Sequence, residues 1–395
     1  MTQLPPSWQH VGRHDLFPEA GHDDVARFDF LANLNGVLAG TLAPRVREAY
    51  EREVKPAFEK DEGRAPGDRH EVRKAMAGNS TYQIWSALRR CSMEMRQQTG
   101  RRLVLGQIDT LLDKAARRNT EPGLELDPAV EQPAYAAAVD IHCMPGGYHG
   151  ELTENDVSAG ANYDCGIFAT TGGMLGRYND GGGQAIARWL AREHPDFKPR
   201  RILDIGCTVG HNIVPLAQHF PEAEVIAVDT AAPVLRYGHA RARSMGVSNI
   251  TFRQASGESL DYPDEYFDLI TTSMFWHETS ARALPRIMNE IQRLLASGGL
   301  TVHLEQPQYH EGMDPYEQFI RDWDAYNNNE PFWSVMHSYD LRELMLAAGF
   351  SEQEYFETGI RAWVDSEIFP EAGSGEEDYG RSAQWTAFGA WKEAT

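Results

Sequence analysis

Apolar and polar positions recur with two different periods along this chain. In the second half, short apolar runs alternate with stretches of helical period, and glycine or proline separates many of them. The apolar runs predict strands at 201–205, at the run that ends in Asp229, at 249–254, 267–274 and 300–305, after Gly349, and at 384–392. Strands and helices that alternate in this way predict an α/β fold with a doubly wound, mostly parallel sheet of seven strands.

The first third of the chain has helical patterning. Helices are predicted at 28–38, 45–59, 81–90 and 103–118, and an acidic, proline-containing linker follows at 121–131. We therefore expect a mainly helical N-terminal domain over 1–130, a connecting segment over 131–183 and the sheet domain over 184–395. An aromatic-rich insertion at 307–338 follows the fifth strand of that sheet.

A glycine turn follows the first predicted strand and reads Asp204-Ile205-Gly206-Cys207-Thr208-Val209-Gly210. Glycines here let the backbone approach a ligand at the N-terminus of the next helix. Asp229 closes the second strand, where a carboxylate can accept hydrogen bonds from both hydroxyls of a ribose. The turn lacks the G-x-G-x-x-G spacing of a dinucleotide site, because Thr208 stands in place of the middle glycine.

These residues resemble motif I of the class I S-adenosylmethionine (SAM) dependent methyltransferases, D-x-G-x-G-x-G, from which Thr208 departs. The resemblance continues through the segments 255–260 and 262–268 and covers roughly half of the chain. It implies a Rossmann-like methyltransferase fold, SAM as the cofactor, and a covering role for the segment 131–183. The cofactor-binding residues that it implies are Asp204, Gly206, Cys207, Gly210, Asp229, Thr230, Ser256, Gly257, Ser273 and, in the covering segment, Tyr163.

His277 and Glu278 follow the fourth strand, at the edge where parallel sheets place their active sites. A histidine there can take a proton from an acceptor hydroxyl or ammonium group, and Glu278 can orient it or bind the acceptor. These two are the predicted catalytic residues. The alternative is that the pair only shapes the loop.

In small-molecule methyltransferases, an insertion in the position of 307–338 commonly forms a lid over the acceptor. The predicted acceptor-binding residues are Tyr309, Trp323 and Trp333 of this insertion, together with Trp276 from the loop after the fourth strand. Phe319, Trp323 and Tyr326 also recur at helical spacing, which fits a buried helix face equally well. The remaining aromatic residues favour an apolar or aromatic acceptor.

No metal site is expected from sequence spacing. His142, Cys143 and His149 fit no zinc pattern, and the intervening Pro145-Gly146-Gly147 predicts a turn. The chain has four cysteines without paired spacing, so we expect reduced thiols and no disulfide framework.

Charge and hydropathy exclude several classes of partner. The net charge is -21, and its acidic excess lies after residue 120, which argues against a nucleic-acid substrate. No stretch of 18 apolar residues occurs, and the N-terminal segment has no secretory pattern, so we expect no membrane partner and a cytoplasmic location. The helical N-terminal part is a candidate surface for a homodimer.

Together these features predict a SAM-dependent methyltransferase for a small molecule. We expect methyl transfer to a hydroxyl of a specialised metabolite, as in natural-product biosynthesis. The alternatives are N- or C-methylation of a small molecule. A SAM-fold protein without methyl transfer, acting as a binding partner or in another SAM reaction, is the alternative from a different functional class.

Overall fold

The computed structural model describes residues 4–369 and 384–393. Its strands form one sheet in the order β1-β4-β3-β2-β5-β6-β8-β7. The strands are β1 (Leu124–Glu125), β2 (Arg201–Ile205), β3 (Glu224–Asp229), β4 (Ile250–Gln254), β5 (Phe267–Ser273), β6 (Leu295–Glu305), β7 (Tyr355–Arg361) and β8 (Gln384–Trp391). All neighbours pair in parallel except β8, which runs antiparallel to β6 and β7.

The doubly wound, mostly parallel sheet is confirmed, and its strand count needs one correction. Seven strands are predicted, but the described residues form eight, because the linker supplies the two-residue strand β1. Leu124 and Glu125 pair with Phe252 and Arg253 of β4 at the edge of the sheet. Two residues are too few to produce a readable alternation of apolar and polar positions, so the pattern could not show this strand.

The central strands are apolar because helices cover both faces of the sheet. In β2, every residue after Arg201 is buried, and β3 is buried from Val225 to Val228. The strand order reverses between β2 and β5, which lie side by side although β3 and β4 come between them in the chain. Such a reversal opens a crevice at the carboxyl ends of the two strands.

Helices make up most of the remaining described chain. They are α1 (His22–Val37), α2 (Ala43–Ala49), α3 (Lys55–Glu62), α4 (Arg69–Met76), α5 (Ser80–Leu105), α6 (Ile108–Arg118), α7 (Ala134–Ala137), α8 (Ser158–Thr171), α9 (Gly181–Glu193), α10 (Ile213–His219), α11 (Ala232–Ser244), α12 (Leu284–Leu294), α13 (Pro315–Arg321), α14 (Trp323–Asn327), α15 (Trp333–Ser338) and α16 (Leu341–Ala347). Short π turns at Leu38–Leu42 and Tyr50–Val54 join α1, α2 and α3, and 3₁₀ turns occur at Trp8–His10, Ile141–Cys143 and Trp276–Glu278. Each helix in the described ranges is too short or too polar to span a membrane.

The N-terminal helices share their apolar contacts with the rest of the molecule. One buried cluster joins Trp8 and Phe28 to Phe168 of α8, to Val209 of the glycine turn and to Tyr237 of α11. The N-terminal third therefore packs directly onto the methyltransferase-like half.

The insertion at 307–338 packs against these same N-terminal helices. Phe319 and Trp323 are buried in a second cluster with Val72 and Trp85. At its edge, Asp322 accepts hydrogen bonds from Arg69 (2.8 Å) and Arg73 (3.2 Å), and Asp324 accepts from Arg89 at 3.0 Å. Apolar packing and charged hydrogen bonds thus hold the insertion over the crevice.

Candidate functional site

A cavity of about 1100 Å³ lies at the carboxyl ends of β2 and β5. Its floor is the glycine turn, one wall is the loop after β5, and the insertion and the N-terminal helices close it from above. The predicted site residues that line it are Asp204, Gly206, Cys207, Asp229, Thr230, Ser256, Gly257, Ser273, Tyr163, His277, Glu278 and Trp333. Gly210, Trp276, Tyr309 and Trp323 lie outside its lining.

The turn after β2 can accept only glycine at its closest approach to the cavity. Gly206 has a φ of 76°, and a Cβ atom built there would lie 2.3 Å from the ring of Phe275. Gly257 is similarly restricted, since its Cβ would lie 2.6 Å from Ile205. Gly210 serves packing instead, because a Cβ there would meet the buried ring of Phe252. Bare backbone at 206 and 257 leaves space for a ligand to lie flat across the strand ends.

Asp204 is a buried carboxylate directly before this turn. The Thr271 hydroxyl donates to it at 2.7 Å. Burial, together with the charge of Asp229, raises the pKa of Asp204 to about 7 despite that hydrogen bond. A cationic ligand group at this point would stabilise the ionised form, so the site suits an ammonium rather than a phosphate.

Asp229 stands at the end of β3 with both carboxylate oxygens directed by the backbone. It accepts hydrogen bonds from the N–H groups of Thr208 (3.0 Å) and Ala231 (2.9 Å). Burial raises the pKa of Asp229 to about 6, against the effect of these two hydrogen bonds. Each oxygen keeps a second lone pair for a ligand hydroxyl. Beside it, the Thr230 hydroxyl donates to Gln132 at 3.0 Å, which ties the connecting segment to the cavity wall.

The residues at the other strand ends are polar and small. Ser256 accepts a hydrogen bond from the Glu258 N–H group at 3.2 Å and lines the cavity next to Gly257. The hydroxyl oxygen of Ser273, at the end of β5, is buried and has no hydrogen-bond partner among the described residues. Cys207 is buried, and burial raises the pKa of its thiol well above the ordinary value.

Tyr163 of α8 covers the cavity from the connecting segment. Its ring stacks on His211, with ring centroids 5.5 Å apart, and meets the edge of Tyr148 at 5.6 Å. Asp164 holds this corner, because it accepts hydrogen bonds from His14 (2.9 Å), His211 (2.7 Å) and Tyr237 (2.8 Å). Tyr163 is thus fixed over the glycine turn.

His277 faces the cavity with its ring held by Glu305. The Nδ1 atom of His277 lies 2.6 Å from Glu305 Oε1, and the backbone N–H of Trp276 donates to Glu305 Oε2 at 2.9 Å. Burial would lower the pKa of His277, but the charges of Glu305, Glu330 and Glu278 outweigh burial and raise it to about 9. A carboxylate that orients an imidazole in this way is the usual arrangement of a histidine base.

Glu305 and Glu330 are site residues that sequence reasoning missed. Glu278 was the candidate for orienting His277, yet it bonds elsewhere, and Glu305 holds the ring instead. Glu305 could have been found, since it ends β6, the strand that pairs with β5. Glu330 carries no such signal, because it comes from an irregular part of the insertion between α14 and α15.

Glu278 belongs to a second polar cluster. Its Oε1 atom lies 2.8 Å from His142 Nε2 and accepts the Tyr148 hydroxyl at 3.1 Å. The other nitrogen of His142, Nδ1, lies 3.1 Å from Glu330 Oε1. Burial raises the pKa of a carboxyl, but the hydrogen bond and charge of His142 lower that of Glu278, and the two glutamates in turn raise the pKa of His142 well above its ordinary value.

Of the four predicted acceptor-binding aromatic residues, the structure brings only Trp333 to the cavity. Trp333 contacts His277, with ring centroids 4.4 Å apart. Trp276 is buried against His303 and Phe388 under the sheet, and Trp323 lies in the insertion core, where it donates to Ser86 at 2.8 Å. The Tyr309 hydroxyl bonds to Asp322 at 2.8 Å. These three residues pack outside the cavity. For Trp323, the buried helix face is the alternative that the helical spacing had left open.

Comparison with known proteins agrees with this geometry. A family model described as a methyltransferase domain matches residues 202–299. The chain is 29% identical to the demethylmenaquinone methyltransferase of Symbiobacterium thermophilum, over 42% of this chain and 74% of that protein. It is 28% identical to a ubiquinone/menaquinone biosynthesis C-methyltransferase of Shewanella oneidensis, over 34% of this chain and 59% of that protein.

The solved structures that this chain matches include the phosphoethanolamine N-methyltransferase 2 of Haemonchus contortus in complex with SAM. It shares 17% identity and a TM-score of 0.42, over 58% of this chain and 57% of that chain. The family match coincides with β2, the glycine turn and the strands to β5, where the cavity residues lie. This chain therefore carries a class I SAM-dependent methyltransferase domain, and SAM is its cofactor.

Proposed function

We propose that this protein transfers the methyl group of SAM to a small molecule that carries an acidic hydroxyl on an apolar or aromatic body. The observation that carries the proposal is the Glu305–His277 pair, which faces the same cavity as the glycine turn. A cofactor on that turn and an acceptor beside His277 would share one enclosed space. The specialised-metabolite role predicted from the sequence is part of this proposal.

The cofactor would lie along the strand ends. Asp229 would bind its ribose hydroxyls, Asp204 its ammonium group, and Ser256 with Gly257 its adenine, while Tyr163 covers it. When bound, SAM supplies a methyl group on a positive sulfur, which needs only an aligned nucleophile. The turn has the bare backbone and the acidic groups that such a ligand requires.

His277 would remove the acceptor proton. Glu305 holds its Nδ1 side, so its Nε2 side is the one available to an acceptor. A histidine whose pKa is about 9 is mostly protonated at neutral pH, so the neutral form that accepts the acceptor proton grows as the pH rises towards 9. General-base assistance of this kind is worth about 10² to 10⁴ in rate.

The upper part of the cavity supports an apolar acceptor. Its lining includes the apolar side chains of Met93, Ile141, Ile167, Leu175 and Ile320, interspersed with polar ones. Such a wall can bury a hydrocarbon or aromatic body, while the acidic end next to His277 receives the polar group.

C-methylation is the second candidate, and the named relatives favour it. Two matched proteins are described as a demethylmenaquinone methyltransferase and a quinone-biosynthesis C-methyltransferase. Removing a proton from a phenolic hydroxyl makes both the oxygen and the neighbouring ring carbons nucleophilic. After attack by carbon on the methyl group, that carbon loses its hydrogen as a proton and the oxygen regains one, which restores the phenol. The same His277 base would thus serve either reaction, and the position of the new methyl group on the product separates them.

The test is a methyl-transfer screen against phenols, carboxylates and amines, followed by the variant His277→Ala. We expect turnover on phenols to fall by about 10² to 10⁴ in the variant, with affinity for S-adenosylhomocysteine unchanged in calorimetric titration. Nuclear magnetic resonance of the product identifies O- or C-methylation. Undiminished turnover in the variant would remove His277 from the mechanism, and cofactor binding without turnover on any class would favour the binding-partner alternative.

The predicted homodimer and cytoplasmic location also remain proposals. Light scattering of the full chain measures the first directly. A monomeric mass would rule out the N-terminal helices as a dimer surface.

A further inference from the structure

We propose that His142, Glu278 and Glu330 bind a divalent transition-metal ion at the acidic end of the cavity. The three residues come from three distant parts of the chain: the connecting segment, the loop after β5 and the insertion. Each offers one ligand atom, and these atoms all lie within 4.8 Å of one another. The proposal goes beyond methyl transfer and does not depend on the acceptor.

A buried oxygen of Glu330 that lacks a hydrogen-bond donor is a second, independent indication of a bound cation. The residue is 2% exposed, and its Oε2 atom accepts no hydrogen bond within the described chain. That oxygen lies 3.7 Å from His277 Nε2, too far for a hydrogen bond, while Oε1 accepts from the Asn328 amide at 2.5 Å. A buried carboxylate oxygen without a donor is costly, and a bound metal ion would remove that cost.

The donor set defines the kind of ion. One imidazole nitrogen and two carboxylate oxygens suit Zn²⁺ or Mn²⁺, which bind these atoms at about 2.0 to 2.2 Å. One ligand atom from each residue lies within 4.8 Å of the other two, which is close enough for a shared ion. The present contacts of His142 with Glu278 (2.8 Å) and Glu330 (3.1 Å) use its two different nitrogens. Binding would replace one of the two hydrogen bonds of His142, because a histidine gives a metal only one nitrogen at a time.

Neighbouring donors already orient these ligands. The Tyr148 hydroxyl donates to Glu278 at 3.1 Å, and Gln97 donates to the His142 carbonyl at 2.9 Å. Metal sites generally have such supporting hydrogen bonds around their ligands. All three ligands also line the cavity, so an open coordination position would face the acceptor space.

Spacing along the sequence could not show this site. His142 was weighed with Cys143 and His149, but Cys143 is turned towards Asn328, and the two glutamate partners lie 136 and 188 residues further along the chain. Local patterns find metal sites only when the ligands come from one segment.

The test uses the full chain, treated with a chelator and then titrated calorimetrically with Zn²⁺, Mn²⁺ and Mg²⁺, without SAM or acceptor. We expect one Zn²⁺ per chain, weaker binding of Mn²⁺ and the weakest binding of Mg²⁺. Glu330→Gln and His142→Ala should each weaken Zn²⁺ at least tenfold. His149→Ala, which removes a cavity-lining histidine outside the trio, should leave the affinity unchanged.

Two outcomes would overturn the proposal. One is the absence of stoichiometric Zn²⁺ binding, which would leave His142 as a charged bridge between two glutamates. The other is Zn²⁺ binding that survives in both trio variants, which would place the metal elsewhere. Circular dichroism and S-adenosylhomocysteine binding verify that each variant is folded, and Glu278→Gln replaces any that is not. Because methyl transfer is never measured, failure of this proposal is distinct from failure of the proposed function.

Discussion

Gly206 in the cofactor turn and Gly246 after α11 have nearly the same backbone conformation, but only Gly206 has a side chain close to its Cβ position. Gly206 has a φ of 76° and would place a Cβ 2.3 Å from Phe275, whereas Gly246 has a φ of 77° and no atom within 4 Å of its Cβ position. Alanine at either position carries a left-handed backbone cost of about 1 to 2 kcal/mol. Only Gly206→Ala also displaces an aromatic ring in the cavity wall.

We therefore expect Gly206→Ala to weaken S-adenosylhomocysteine binding at least tenfold, while Gly246→Ala loses stability alone. Calorimetric titration and thermal unfolding of both variants measure the two effects. Equal cofactor affinity in the two variants would show that the Phe275 ring moves aside without cost, and that the bare backbone at Gly206 is not required.

A pH-dependent contribution to stability is expected from His14. Its side chain is buried and lies 2.9 Å from Asp164. Burial lowers the pKa of His14 below its ordinary value and outweighs the hydrogen bond with Asp164. Because the folded state then takes up a proton less readily than the unfolded state, His14 favours folding above about pH 6.5 and loses that contribution as the pH falls.

The comparison with His14→Asn isolates this effect. The wild-type protein should exceed the variant in thermal midpoint by more at pH 7.5 than at pH 5. Midpoints measured at both values give the difference directly. A gap that widens on acidification would mean that His14 is protonated in the folded protein.

Single residues also show where sequence reasoning stops. Asp204, Gly206 and Asp229 could be placed at one edge of the sheet from the sequence, because a turn and two strand ends fix their positions, and all three line the cavity. Glu305 and Glu330 act through side-chain contacts between segments that are remote along the chain. The periodicity of apolar residues indicates which face of a helix or strand is buried, but it does not indicate which distant residue contacts that face.

At the scale of elements, a buried carboxylate stabilises the packing of the insertion at 307–338 against the N-terminal helices. Asp322 is fully buried and accepts hydrogen bonds from Arg69, Arg73 and the Tyr309 hydroxyl. Removing one partner of a buried ion pair leaves the other charges without compensation and typically costs about 3 kcal/mol or more. Glu317 on α13 pairs with Arg321 at 3.1 Å, but its own side chain is 42% exposed, and a pair with an exposed member is worth at most about 1 kcal/mol.

Asp322→Ala should therefore lower the free energy of unfolding by about 3 kcal/mol, and Glu317→Ala should change it little. Denaturant titrations of the two variants provide the comparison. If both variants lose the same small amount, the insertion is held by the Phe319 and Trp323 core rather than by its charges.

Element prediction succeeded where burial sets a clear period. Strands β2, β4 and β5 occur within a residue of their predicted bounds, because the sheet is covered on both faces. The N-terminal helices were placed less well. The predicted helix at 81–90 is part of α5, which runs for 26 residues to Leu105, and polar side chains such as Arg96 and Gln97 are buried within it. A helix that buries polar groups against other elements does not show a clean apolar stripe.

At the scale of the whole molecule, the N-terminal third and the sheet are joined by a continuous core. Phe28 is stacked on Trp8, with ring centroids 4.5 Å apart, and belongs to the cluster that includes Val209 of the cofactor turn. The predicted boundary at residue 130 does not separate two apolar interiors. Unfolding of the first helices would therefore expose the underside of the cofactor turn.

This continuity predicts one cooperative transition for the whole chain. Phe28 is fully buried and Phe30, on the same helix, is 58% exposed. Phe28→Ala should cost about 3 to 5 kcal/mol and shift the loss of S-adenosylhomocysteine binding and the loss of helical circular dichroism to the same lower denaturant concentration. Phe30→Ala should move neither curve by a comparable amount. If cofactor binding in Phe28→Ala persists beyond the helical transition, the N-terminal helices unfold separately, and the shared core does not couple them to the site.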